Sequence, residues 1–214
     1  DLKKIVNPNE DTEVRYLNRI IRWTAEGIEM EGDKKHTDVL LKEWGMQQCK
    51  EVETPITKCG QDKVYDGEEL SEQEASRARR AIARVNYMAQ DRPDLSVLAR
   101  VMSQCMARPT EGVIPCLKRV IRYLKGCQGY ALKIPYDQEF DKIEIWSDSD
   151  WAGDASTRKS CSGGFIKLGG TTVSHWSNTQ SNIALSSGEA ELKAAVKGVS
   201  EGIGVYELAN AILD

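Results

Sequence analysis

Two pairs of acids in this sequence stand where a divalent metal ion could be held. Asp148 and Asp150 close an alternating apolar run, and Glu189 and Glu191 fall in the first turns of the helical segment that follows. Carboxylate oxygens are hard ligands. They suit Mg²⁺, which binds through few protein carboxylates and keeps its remaining positions for water and substrate phosphates. One strand acid and one helix acid brought side by side would make half of such a site. Glu189 and Glu191 differ by about 200° around a helix, so they cannot serve the same direction. The spacing of Glu189 from Ser186 is that of a capping box, which gives it a structural task. Asp150 ranks behind Asp148 because Trp151-Ala152-Gly153 suggests a turn immediately after it. His175 has no neighbouring Cys or second His and reads as structural. Trp151 and Trp176 read as core anchors.

The elements that must position these acids can be read locally. Ile143 and Ile145 alternate with Glu144, the period-2 pattern of a half-buried strand. FIKLGGTTVSHW (165–176) is a hairpin, two β-rich runs joined at Gly169-Gly170. Ser186 with Glu189 then marks the start of a helix expected over 187–213. The order is three antiparallel strands and a helix.

These words in this order resemble the ribonuclease H (RNase H) domain at the end of copia-type LTR retrotransposon Pol polyproteins. The matching residues are Ser147-Asp148, Asp150 to Asp154, Arg158-Lys159-Ser160, Ser162-Gly163, Gly169-Gly170 and Ala184 to Glu191. Upstream, DVLLKEWGM (38–46), VNYMAQDRPDL (85–95) and LKRVIRYLKG (117–126) are similar to words between the polymerase palm and RNase H of the same family. The resemblance implies an α+β chain, a helical reverse-transcriptase thumb/connection-like region (14–134) followed by a truncated RNase H-like domain (135–214). It makes Asp148 and Glu191 the catalytic acids and ligands of Mg²⁺, with Mn²⁺ possible. The substrate would be an RNA–DNA hybrid, cleaved with two ions activating water and leaving group. The family's later acids follow the helix, and this sequence ends at Asp214. The resemblance therefore implies a chain inactive as a nuclease alone, with one uncovered sheet edge where a protein partner could add. The Tyr-x-Asp-Asp strand of the polymerase is absent. The rival expectation is a non-enzymatic, domesticated binding or scaffold subunit of a larger assembly.

Composition narrows the classes. With 214 residues, 40% hydrophobic and 29% charged, the chain can hold one large or two small domains with real cores. No run approaches the roughly 20 apolar residues of a membrane helix, and the start does not read as a signal peptide. Six cysteines without a C-x-x-C, and two histidines, argue against structural zinc. An intracellular setting, cytoplasmic or nuclear, with reduced thiols is the expectation.

The net charge of −4 hides a segregation: residues 77–133 carry twelve Lys/Arg against three acids, a local +9. Arg77, Arg80, Arg84, Lys118, Arg119, Arg122 and Lys125 are its candidate nucleic-acid contacts.

Along the chain, 1–13 is polar. Residues 14–31 read as one hairpin turning at 24–27, and a helix begins at Thr37-Asp38 and stops at Gly45. Residues 49–70 read as linker. Helices follow over 71–90, over 94–107 with Asp94 as cap, and up to Gly126, the last starting late or kinked at Pro115. A strand at 129–134 leads to a boundary at Pro135.

Overall fold

The computed structural model describes residues 12–57, 63–136, 142–154 and 157–213. Its contacts divide the chain into two units, Asp1–Lys133 and Ile134–Asp214. The expected polar segment 1–13 lies outside the described residues but for its last two, as do Cys59 and Gly60 of the expected linker.

The first unit opens on strands β1 (Glu13–Tyr16), β2 (Arg19–Trp23) and β3 (Gly27–Glu31), and the sheet order is completed by β4 (Ala131–Pro135) beside β3. Residues 14–31 are thus two hairpins, where the sequence suggested one. The unexpected turn is Leu17-Asn18, both at positive φ (48° and 65°). The type I′ form of a two-residue hairpin needs that geometry at both positions, and no glycine marks it here. The second turn falls at Thr24–Gly27 as expected, with the Thr24 hydroxyl donating to the Gly27 carbonyl at 2.9 Å.

Among the described residues four helices build the core of this unit: α1 (Lys35–Glu43), α2 (Glu72–Met88), α3 (Ser96–Gln104) and α4 (Val113–Gly126). Helix α1 stops where Gly45 adopts φ 64°. The Met46 N–H returns to the Leu41 carbonyl and the Gly45 N–H to the Lys42 carbonyl, a Schellman ending. Helix α2 is capped by Ser71, whose oxygen accepts from the Glu74 N–H.

Two expectations are corrected. Asp94 does not cap α3, because Pro93 starts a short 3₁₀ turn (Pro93–Leu95) and α3 begins at Ser96. Nor does Pro115 delay α4. It sits in the first turn, where backbone N–H groups have no intrahelical partner to lose.

Leu40, Ile82, Leu98, Leu117 and Ile121 are fully buried in a single cluster drawn from all four helices. Each such side chain stabilises the fold by roughly 1.5–3 kcal/mol. Within that cluster burial pushes the Cys105 thiol up to about 11.

The second unit has the expected three antiparallel strands and helix: β5 (Ile143–Asp150), β6 (Cys161–Leu168), β7 (Thr171–Thr179) and α5 (Ser187–Leu213). The β6–β7 turn is Gly169-Gly170. At the start of α5 the Ser186 oxygen accepts from the Glu189 N–H at 3.1 Å, and the Glu189 carboxylate reaches back to the Leu185 N–H at 2.7 Å. Helix α5 lies on β5 and β6 through a small-residue face, Ala190, Ala194, Gly198 and Gly202. At Gly202 an added Cβ would collide with the Ile145 side chain, so glycine here sets how closely helix and sheet approach. Strand β5 is an edge, paired only with β6 among the described residues.

Candidate functional site: the acids and the basic block

The register of β5 decides what Asp148 can do. A Cβ built on Gly198 would lie 3.1 Å from Ile145 Cγ2 and 3.4 Å from Ser147 Cβ, so Ile145 and Ser147 are the strand side chains turned toward α5. Pairing with β6 runs without a break from Ile143 to Asp150, and successive side chains of a strand alternate faces. Trp146, Asp148 and Asp150 therefore stand on the face that α5 leaves uncovered. Trp146 stacks there on Phe165, ring centroids 5.9 Å apart, and Asp148 lies opposite Gly163. Asp148 is exposed. Glu191 is also exposed, and it belongs to the helix on the other face. The register thus does not bring the strand acid and the helix acid to one point.

Among the described residues no group of three His, Cys, Asp or Glu side chains is placed to hold a metal ion. Two carboxylates issuing from opposite faces do not fit a site for adjacent Mg²⁺ ions, whose few ligands must converge within about 2.1 Å of the metal. Glu189 keeps its structural task. It pairs with Lys193 at 2.7 Å, and the Lys193 and Leu185 N–H hydrogen bonds hold its carboxyl below the ordinary range.

Trp151 is corrected as well. It is 46% exposed, and its indole N–H donates to the Ala184 carbonyl at 3.0 Å, linking the end of β5 to the segment before α5. Trp176 is half-buried against Gly164.

The basic block is largely committed to the fold. Residues 49–57 have no regular structure, so their polar groups find donors outside a ladder or helix. Helix α4 supplies them. Lys125 Nζ donates to the Cys49 carbonyl at 2.9 Å, Arg122 to the Lys50 carbonyl, and Arg119 to the Thr54 hydroxyl at 2.7 Å. Arg77 lies over the Trp44 ring at 4.4 Å and donates to the Glu43 carbonyl. Arg84 pairs with the Glu43 carboxylate at 3.6 Å. Of the seven candidate contacts, Arg80 and Lys118 are exposed without a hydrogen bond or ion pair among the described residues. Lys118 lines a cleft of about 700 Å³ with Lys63, Arg119 and Arg122 on one side of the charge balance and Asp66 and Glu111 on the other.

Sequence reasoning missed one cluster altogether. Arg92 grips Asp94 with two nitrogens, at 2.9 and 2.6 Å, and the Tyr123 hydroxyl donates to the same carboxylate at 2.7 Å. Arg92 also reaches Cys127 Sγ at 3.0 Å and lies 5.0 Å from the Tyr130 ring. Burial works against the charged carboxyl, but Arg92 and Tyr123 hold Asp94 below its ordinary value. The signal was present as an Arg-Pro-Asp triplet, but counting Arg92 as surface charge concealed it.

Comparison with known proteins places the chain. No family model matches it, and no solved structure does. The Pol polyprotein of transposon RE1 from Arabidopsis thaliana, named retrovirus-related, is 32% identical over 162 residues, 76% of this chain. An uncharacterized mitochondrial protein of the same plant is 30% identical across 78% of this chain and 68% of its own length. Secreted RxLR effector protein 161 of Plasmopara viticola is 39% identical over 124 residues, covering 58% of this chain and 87% of that protein. The chain spans only 11% of the RE1 polyprotein. The quoted motifs and these relatives agree: the chain belongs to the family of copia-type, retrovirus-related Pol polyproteins.

Proposed function

We propose that this chain is a non-cleaving scaffold portion of a retrotransposon Pol polyprotein, a helical connection followed by the opening elements of an RNase H-like unit. The observation that carries this reading is the β5 register, which gives Asp148 to one face of the sheet while Glu191 rises from the helix on the other. In this reading the chain's residues shape and support a nucleic-acid-processing assembly and do not themselves hydrolyse RNA. The test is cleavage of a labelled RNA–DNA hybrid by the 214-residue chain in Mg²⁺ and in Mn²⁺. No cleavage above the level of Asp148→Asn is expected. Metal-dependent cleavage abolished by Asp148→Asn would overturn the proposal and restore the enzymatic reading.

A second reading, hybrid binding, is favoured by one observation, the exposed Lys63 and Lys118 at the cleft beside α4, which Arg119 and Arg122 also line together with Asp66 and Glu111. Phosphate contacts of this kind weaken as salt rises, because binding releases counterions. Hybrid affinity that falls between low and moderate salt, and falls further in Lys118→Glu, supports this reading. A flat salt response removes nucleic acid from the partners.

A further inference from the structure

Helix α4 carries Lys118, Arg119, Arg122 and Lys125 and no acid. Lys118, Arg122 and Lys125 stand four and three residues apart, so like charges share one side of the helix and repel. None of the four is in an ion pair among the described residues. What meets three of them is the strap 49–57, and the acceptors it offers are neutral. The Cys49 carbonyl accepts from Lys125, the Lys50 carbonyl from Arg122 and the Thr54 hydroxyl from Arg119.

The match is imperfect on both sides. Arg119 Nε is buried without an acceptor. A Cβ built on Gly126 would lie 3.2 Å from Glu51 Oε2, so the Glu51 carboxylate lies against the C-terminal end of α4, where the helix dipole disfavours negative charge. The strap is also lightly held. Residues 50–56 make no backbone–backbone hydrogen bond among the described residues, and Lys50, Glu51, Glu53 and Thr54 are exposed. Segments with few buried contacts and open backbone groups detach at low free-energy cost.

We propose that the strap is a displaceable cover, and that phosphates of a bound RNA–DNA hybrid take its place on Arg119, Arg122 and Lys125. This rests on the hybrid-binding reading of the same helix and adds how its cations become available. A phosphate oxygen is a charged acceptor, and hydrogen bonds to it are roughly twice as strong as those to a neutral carbonyl. The exchange gives the α4 cations the counter-charge they otherwise lack and moves Glu51 off the helix end.

The experiment is fluorescence anisotropy of a labelled RNA–DNA hybrid with the intact 214-residue chain across a salt series. Limited Glu-C proteolysis, which cuts after Glu51 and Glu53, accompanies it with the fragments mapped by mass spectrometry. Circular dichroism confirms that each variant keeps its helices. Arg122→Gln and Lys125→Gln keep a donor for the strap but lose the charge, and each should lower the salt slope of binding by about 1. Thr54→Ala, which removes one strap contact, should tighten binding about twofold or more. Saturating hybrid should speed cleavage after Glu51 and Glu53 at least about threefold, since proteolysis follows the open population. Cleavage unchanged or slowed by bound hybrid overturns the proposal while hybrid binding stands. So do salt slopes unchanged in both glutamine variants, or Thr54→Ala binding no tighter than wild type. A chain with no hybrid affinity at low salt removes the hybrid reading and this exchange with it.

Discussion

The two units of this chain solve the same problem with different completeness. In the first, four helices and the 3₁₀ turn bury large side chains on one another, and Leu40, Ile82, Leu98, Leu117 and Ile121 are fully covered. In the second, the helix meets the sheet through alanine and glycine, Ile166 is the one large aliphatic residue buried among the described residues, and the bulky face of α5 points away. Small-residue packing removes little apolar area from water, so less of the second unit's stability comes from within itself. One region carries its own core, and the other carries an unmatched face.

That contrast can be broken or sharpened by substitution. The largest effect is expected in the helical core: Leu117→Ala or Ile121→Ala should lose about 2–5 kcal/mol through transfer and cavity costs. Val199→Ala on the exposed side of α5 should change stability by no more than about 0.5 kcal/mol. Urea unfolding followed by circular dichroism measures both, and equal losses would erase the distinction between the units.

Next comes the Arg92–Asp94–Tyr123 cluster. Asp94→Ala leaves a partly buried guanidinium and a hydroxyl without their acceptor and should lose about 2 kcal/mol. The pH dependence has a definite sign. Asp94 and Glu31 are both held below their ordinary values, the former by Arg92 and Tyr123, the latter by Lys34 and Arg22 against the penalty of burial. A depressed folded pKa stabilises above the unfolded value, near 4, and that stabilisation disappears as pH falls through the folded pKa. The urea midpoint of the wild type should therefore drop more steeply below about pH 4 than that of Asp94→Asn. Parallel pH profiles would remove the carboxylate from the account.

A comparable loss, about 1–3 kcal/mol, is expected of Gly202→Val, which forces a branched side chain against Ile145. A tolerated substitution would mean that helix and sheet are not in the close contact described. Lys125→Ala, which frees the Cys49 carbonyl, should lose about 1 kcal/mol. Faster limited proteolysis within 49–57 would report the released strap.

What could be read from the residues alone was what is decided locally. Gly169-Gly170 announces its turn, Ser186 with Glu189 announces a helix start, and Gly45 announces a helix end, each through a conformation or hydrogen bond within a few residues. Leu17-Asn18 escaped because Leu17 is a residue that seldom adopts positive φ and no glycine stands beside Asn18 to mark the turn. Asp94 has the residue type of a cap, but its carboxylate is taken by Arg92 and Tyr123, the second of them 29 residues away. The same holds for the candidate site. That Asp148 ends a strand is local information, but the face it occupies follows from which side α5 packs on, and that is settled by Ile145 against Gly198 and Gly202. The basic block was legible as charge and illegible as structure, because the carbonyls that Arg122 and Lys125 satisfy lie 72 and 76 residues away.

The central claim, that one strand acid and one helix acid do not share an ion in this chain, is tested most directly by calorimetric titration with Mg²⁺ and Mn²⁺. Wild type, Asp148→Asn and Glu191→Gln are expected to give the same weak, unsaturable heats. A saturable site in the wild type that disappears in both variants would contradict the claim and return these two residues to the metal.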